Sequence, residues 1–498
     1  MMTTYDTTRW QADIGLEIHC QLLTRTRLFS AGPLPARTDQ APNSLLTPYD
    51  LGLPGTLPRL NDQAVDLAIR AGIALGCELQ PWSRFDRKHY LYPDLPKGYQ
   101  LTQQSHPICR GGALPFTRQD GSPARLPLER IHLEEDAGRS LHERLPDHTL
   151  VDLNRAGTPL IEIVTAPALH CPLDVERALR TLHRLLVWLE IGDGNLQEGS
   201  MRFDANVSVR PAGDPAPGVR CELKNLNSFR FVREALTLEI DRHIDALQAG
   251  TPLTPQTRAY DPRRGQTFAL RAKEASVDYR YLPDPDLPPL HLTPKRIAEL
   301  RAAHPEHPDA REQRLARTLE LSADLASTIC DSPSRADFFE DALAQRPPEL
   351  PDERLPAFAT ILANLLVQSL LACLAPERGL SRVRDLQITP AQLTSIAALQ
   401  LHQTLSATGA DTLAKEVAAT GHDPFAVVER LGLRQCRDPE ALRALVDRVL
   451  ASHPDQVQAY RDGKTKLLGF FVGQAMNAAP QKPDPQLLTT ILRERLHD

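Results

Sequence analysis

Four stretches of the chain alternate apolar and polar residues with a period of two, the pattern of a strand with one buried face. Over 14–19 the apolar residues Ile14, Leu16 and Ile18 fall on one side, with Glu17 and His19 on the other. Over 201–210, Met201, Phe203, Ala205, Val207 and Val209 oppose Arg202, Asp204, Asn206 and Ser208. Val219, Cys221 and Leu223 alternate with Arg220, Glu222 and Lys224. Ile131 and Leu133 alternate with His132 and Glu134, and Glu135 stands at the strand end.

Elsewhere the period lengthens. Val175, Leu179, Leu182, Leu186 and Leu189 recur every three or four residues, which predicts a helix over 173–190 stopped by Gly192. A second helix is predicted over 232–247. The proline-rich run YRYLPDPDLPPLHLTP (279–294) punctuates the chain, and from Lys295 the pattern is helical with few strand signals. The predicted fold is α+β. A cradle with an antiparallel or mixed sheet and flanking helices spans 1–294, an all-α domain spans 295–430, and a small helical tail spans 431–498, containing KTKLLGFFVGQAMN (464–477) and PQLLTTILRERL (485–496).

Composition narrows the class. The chain has 498 residues, 41% hydrophobic and 24% charged, with a formal charge of −6. These values suit a multidomain globular protein and leave a nucleic-acid partner open, since local basic patches suffice on an acidic whole. The eight cysteines contain no CxxC pair, so neither a zinc knuckle nor a redox pair is indicated, and the reading is a cytoplasmic protein. The first residues lack the apolar core of a signal peptide. The most apolar helix candidate, 361–374, is interrupted by Asn364, Gln368 and Ser369, and reads as too short and polar to cross a membrane.

The strand pattern also carries the candidate chemistry. If the four polar faces line one cavity, Glu17, His19, Glu134, Glu135, Asp204 and Glu222 meet there. Such a cluster needs protonation, pairing or a bridging cation. Oxygen ligands with one imidazole suit magnesium better than zinc. The plainer alternative is that each face meets water, as on any half-exposed sheet. A second concentration lies in FDRKHYLYPDLPKGYQLTQ (85–103), which packs Arg87, Lys88, Lys97, His89 and three tyrosines around Pro93, Pro96 and Gly98. The rigid turn residues would aim Lys88 and Lys97 at one phosphate, or else the loop is a partly buried aromatic turn. Familiar nucleotide and hydrolase devices are missing. Gly463-Lys464-Thr465 lacks the earlier glycine of a phosphate loop, Gly192-Asp193-Gly194 lacks the third glycine of a dinucleotide site, and neither GxSxG nor HExxH occurs.

Long motifs then resemble one family. GLEIHCQL (15–22), RKHYLYPDLPKGYQLTQ (87–103), IHLEEDAGRS (131–140), VDLNRAGTPLIEIVTAP (151–167), QEGSMRFDANVSVRP (197–211), ELKNLNSFRFVREAL (222–236), VDYRYLPDPDLPPL (277–290) and GFFVGQAMNAAPQKPDPQLL (469–488) look like the GatB family, the B subunits of aspartyl/glutamyl-tRNA amidotransferases, in order along the chain. The resemblance implies a heterotrimer with an amidase (A-type) and a small (C-type) partner, and a YqeY-like tail. It implies ATP-dependent phosphorylation of the side-chain carboxylate of misacylated Glu-tRNA(Gln) or Asp-tRNA(Asn), followed by amidation with ammonia from the amidase partner. The family's metal and ATP pocket falls on Glu17, His19, Glu135, Asp204 and Glu222, with Glu134 a rival to Glu135 and with Lys88 and Lys97 as phosphate partners. Many members carry CxxC where this chain has Thr47-Pro48-Tyr49-Asp50, so no zinc is expected. His89 and Phe203 also depart from the common asparagine and cysteine. The competing readings are a non-catalytic tRNA-binding scaffold of the same complex and a stand-alone metal-dependent hydrolase.

Overall fold

The computed structural model describes residues 5–34, 40–272, 278–375, 380, 382–479 and 481–497. Met1–Thr4, Val277, Pro480 and Asp498, which belong to stretches singled out above, lie outside these. The chain divides into two compact units, residues 1–307 and 308–498.

The first unit is built on a 13-stranded sheet. Strand Trp10–Gln21 lies near its centre, antiparallel to Met201–Pro211 on one side and to Pro159–Thr165 on the other. Pro159–Thr165 pairs in turn with Pro123–Glu135, and Met201–Pro211 with Cys221–Leu226, both antiparallel. Cys221–Leu226 and Gln256–Asp261 run parallel, so the sheet is mixed. All four alternating stretches are therefore strands of one sheet. Their apolar faces form its core side: Ile14, Ile18, Ile131, Leu133, Ile161, Ile163, Phe203 and Val207 are all fully buried. Each such apolar side chain contributes about 1.5–3 kcal/mol when fully buried. Helices Asp62–Ala74 and Phe229–Gln248 cover this side, and Pro172–Trp188 packs against Phe229–Gln248.

The helix predicted over 173–190 runs Pro172–Trp188. It ends before Gly192 because Glu190 already adopts left-handed backbone, with φ of 52°. Strands Asp86–His89 and Tyr99–Thr102 pair as a hairpin, so residues 90–98 are its loop, turned at Gly98 with φ of 75°. The chain beyond the proline-rich run stays with this unit: helix Pro294–Ala302 is tied to helix Asp62–Ala74 by Arg296, whose Nη2 lies 2.7 Å from Asp66 Oδ1.

The second unit is helical. The apolar run predicted over 361–374 belongs to a longer helical run, Asp352–Cys373, of 22 residues. Length and composition would let it cross a bilayer, so its shortness is no argument against that. Its apolar side is instead consumed by packing, since Phe358, Ala359, Leu362, Ala363, Leu366 and Leu370 are fully buried among neighbouring helices. It includes a π-helical stretch, Leu365–Leu370, of the kind that lets a helix shift its buried stripe. The last helices have a core of their own, formed by Leu442, Val446, Phe471, Leu488 and Leu492 among others.

Candidate functional site

Strand register brings the predicted polar faces together. Glu17 stands opposite Asp204, His19 opposite Glu162, and Glu162 opposite His132. Glu222 faces Asn206 one strand further out. These side chains occupy the side of the sheet away from the helices, because their neighbours in sequence fill the core.

Two adjoining clusters result. In the first, His19 Nε2 lies 3.4 Å from Glu134 Oε1 and 3.6 Å from Glu162 Oε2. His132 Nε2 lies 3.2 Å from the same Glu162 oxygen. One ligand atom from each of His19, Glu134 and Glu162 falls within 4.8 Å of the others. Glu162 is held well below the usual carboxylate range: burial pushes its pKa up, but His132, His19 and Lys88 outweigh burial. Lys88 shows the mirror effect. Burial lowers its pKa, and Glu134, Tyr281 and Glu162 more than restore it, so the ammonium is firmly charged. Its Nζ also sits 4.9 Å from the centre of the Tyr279 ring.

In the second cluster Lys224 Nζ bridges Asp204 (3.3 Å) and Glu222 (3.1 Å). Thr257 Oγ1 donates to Glu222 at 2.9 Å, and Asn206 Nδ2 donates to Glu17 Oε1 at 3.1 Å. Glu17 joins the two clusters electrostatically. Burial pushes its pKa up, and the charges of Glu162, Asp204 and Glu222 push it further, against Lys224.

Glu135 and Lys97 lie elsewhere. Glu135 follows Glu134 on the strand and so points to the other face. Its carboxylate takes Lys97 Nζ at 2.6 and 2.7 Å and the Leu101 amide at 3.0 Å. Both partners are buried, Lys97 6% and Glu135 1% exposed, and Tyr49 caps the pair. The two hairpin lysines thus serve different carboxylates, Lys88 on the polar face and Lys97 behind it.

Glu162 is the residue that sequence reasoning missed. It is the sole charge in the apolar run PLIEIVT, a signal that period-two counting overlooks because Ile161, Ile163 and Val164 flank it on both faces. A hard divalent cation fits the His19–Glu134–Glu162 group, which supplies two carboxylates and one imidazole. A second buried group, Cys221, Glu239 and His243, fits a cation poorly. Glu239 is already held by Arg242, Arg258 and the Thr267 hydroxyl, which leaves no free carboxylate for an ion. The stretch 47–50 is closed by its own contacts: Asp50 accepts from Thr47 N and Oγ1 at 2.8 Å and from Ser30 Oγ at 2.9 Å, and pairs with buried Arg27.

A large sheet with this acidic and imidazole face, joined to a helical C-terminal region, corresponds to a catalytic domain of the GatB/GatE type, whose family model matches residues 12–298. The GatB domain model matches residues 355–496. The chain belongs to the GatB family. It is 45% identical to the B subunit of the aspartyl/glutamyl-tRNA(Asn/Gln) amidotransferase of Halorhodospira halophila, over 98% of this chain and 99% of that protein. The proteins of the same name from Anaeromyxobacter sp. (strain Fw109-5) and Thermosynechococcus vestitus are 45% and 40% identical, each over 98% of this chain and 99% and 97% of their own length.

Proposed function

We propose that this chain is the member of a tRNA-dependent amidotransferase that activates the side-chain carboxylate of misacylated Glu-tRNA(Gln) or Asp-tRNA(Asn) with ATP and then converts it to the amide. A carboxylate oxygen of the aminoacyl group attacks the γ-phosphorus of ATP, the bond to the β-phosphate oxygen breaks, and ADP leaves. Ammonia then attacks the acyl phosphate carbon, the carbon–oxygen bond to phosphate breaks, and inorganic phosphate leaves with the amide formed. Such transfers need positioning and charge neutralisation more than a protein nucleophile.

The observation that carries this reading is the gathering of His19, Glu134 and Glu162 around one point with the Lys88 ammonium beside them. Magnesium held there would neutralise phosphate oxygens. Lys88 would contact the transferred phosphoryl group. Glu17, Asp204 and Glu222 would form the outer wall, with Lys224 setting its charge. Glu135 and Lys97 are assigned to anchoring the 90–98 loop. Ammonia would come from an amidase partner of the A type, with a small C-type partner completing a cytoplasmic heterotrimer, and no zinc is required.

The test is tRNA-dependent ATP hydrolysis and amide formation by the assembled complex. Lys88→Ala should lower both by about 100-fold or more, the cost typical of removing one group that stabilises transition-state charge. Glu17→Ala and Glu162→Gln should also lose both activities. Full activity in all three variants would leave the scaffold reading in its place.

A further inference from the structure

Glu162 has a histidine on each side of it. In the strand register His19 stands opposite it on one neighbouring strand and His132 on the other. Side chains directly opposite across antiparallel strands lie close enough to touch, and both rings reach the same oxygen. His19 Nε2 lies 3.6 Å from Glu162 Oε2, and His132 Nε2 lies 3.2 Å from it. The two rings are not equivalent. His19 keeps 19% of its side chain exposed, and its Nε2 stands 3.4 Å from Glu134 Oε1 as well. Both of its separations exceed the roughly 2.7–3.2 Å of an N–H···O bond, and His19 shares one open point with the two carboxylates. His132 is 2% exposed and takes no part in that group. Its Nε2 is within bonding distance of Glu162 but 3.9 Å from Glu134 Oε2.

The other ring nitrogen decides what His132 can do. Its Nδ1 is buried and has no hydrogen-bond partner among the described residues. A proton placed there would be cut off from water with nothing to receive it, at the full cost of desolvation. A proton on Nε2 meets the Glu162 carboxylate instead. What one ring nitrogen bonds to selects the tautomer. His132 therefore carries its proton on Nε2 and donates it to Glu162 in a charge-assisted bond. A ligating nitrogen needs a free lone pair, and that proton occupies the one on Nε2. His132 is thus a holder of Glu162 and not a fourth ligand.

Carboxylates that bind a cation are aimed by the hydrogen bonds they accept, and such partners matter to affinity nearly as much as the ligands. The neighbours of Glu162 along its own strand, Ile161 and Ile163, are buried and apolar, so their side chains offer it no such bond. We propose that His132 is a positioning residue, whose Nε2–H holds Glu162 Oε2 and so aims this carboxylate at a divalent cation bound with His19 and Glu134. This rests on the amidotransferase reading above, and it gives His132 no contact with ATP or the aminoacyl group.

The experiment titrates manganese(II), followed by electron paramagnetic resonance, into the assembled complex without nucleotide. The relevant site is the one that His19→Ala abolishes. His132→Leu removes the donor and should weaken manganese there by about 10–100-fold, the range for losing such a partner. His132→Gln, whose side-chain amide can donate from near the position of Nε2, should stay within about threefold of wild type, well inside that range. His132→Asn is too short to reach Glu162 and should behave as His132→Leu, which keeps the test decisive if the leucine variant does not fold. The magnesium concentration for half-maximal amide formation should rise by the same factor in these two variants, with kcat recovered at saturating magnesium. A role in folding alone would leave the manganese affinity of folded variants at the wild-type value. Wild-type affinity in both short variants therefore overturns the proposal, as does an equal loss in His132→Gln. If His19→Ala abolishes no manganese site, the cation site of the amidotransferase reading falls and takes this proposal with it, which separates the two failures.

Discussion

Burial and the charges of Glu162, Asp204 and Glu222 hold the Glu17 carboxyl above its ordinary range. The sign of the stability effect follows from which state ionises first. Below the ordinary range both folded and unfolded chains hold the proton, and Glu17 contributes nothing. As pH rises the unfolded chain ionises first, so the native state loses stability until Glu17 itself ionises. Glu17→Gln should therefore gain stability relative to wild type between pH 4 and pH 7.5, by about 0.5–2 kcal/mol, while amide formation is lost. Melting temperatures of both proteins at the two pH values check this, and a variant that melts lower at pH 7.5 would refute it. Glu162 has the opposite sign. Its depressed pKa stabilises the fold above the ordinary carboxylate range and is lost as pH falls toward its folded value, so Glu162→Gln should lose stability at neutral pH. Little of this was legible in the sequence. Glu17 and His19 were, because a period of two fixes their side. Glu162 was not, because its importance comes from His132 and His19 on neighbouring strands, which only the register reveals.

The strand Pro123–Glu135 carries two adjacent glutamates with different work. Alternation alone favours Glu134 as the partner of His19, and the structure puts it there, 3.4 Å away. Glu135 turns to the hairpin and grips Lys97. Because that pair is buried, removing one partner leaves a charge without compensation, which costs about 3–5 kcal/mol. Glu135→Gln should destabilise by that amount, and the double variant Glu135→Gln with Lys97→Met should recover most of it. Chemical denaturation of the four proteins in the cycle measures the coupling, and independent, additive losses would argue against it. Glu134→Gln should remove tRNA-dependent ATP hydrolysis and also lower stability, because Lys88 loses the foremost charge that opposes its burial. The prolines and Gly98 marked the loop from sequence alone, but not where each lysine goes. Lys88 sits on a strand and Lys97 in the loop, so their directions are set by the hairpin register and by Tyr49, which is distant in sequence.

At the scale of the whole chain, the α+β order was readable because the hydrophobic period changes from two to nearly four along it. Long helices were located within a few residues, while the length of the Asp352–Cys373 run was hidden by its polar interruptions. The segment 47–50 leads to a prediction about metal content. Its one carboxylate is filled by Thr47, Ser30 and Arg27, so elemental analysis should find no stoichiometric zinc and a zinc-selective chelator should leave the melting temperature unchanged. A stoichiometric zinc signal would contradict this. The pairing of strand Trp10–Gln21 with Pro159–Thr165 and Met201–Pro211 also bears on how the protein is made. That strand has no partner until residues far downstream have been synthesised, and such distant pairings form slowly. The nascent chain must carry an apolar strand unprotected through that interval, so a ribosome-bound fragment ending near residue 150 should recruit chaperones that one ending near residue 250 no longer needs.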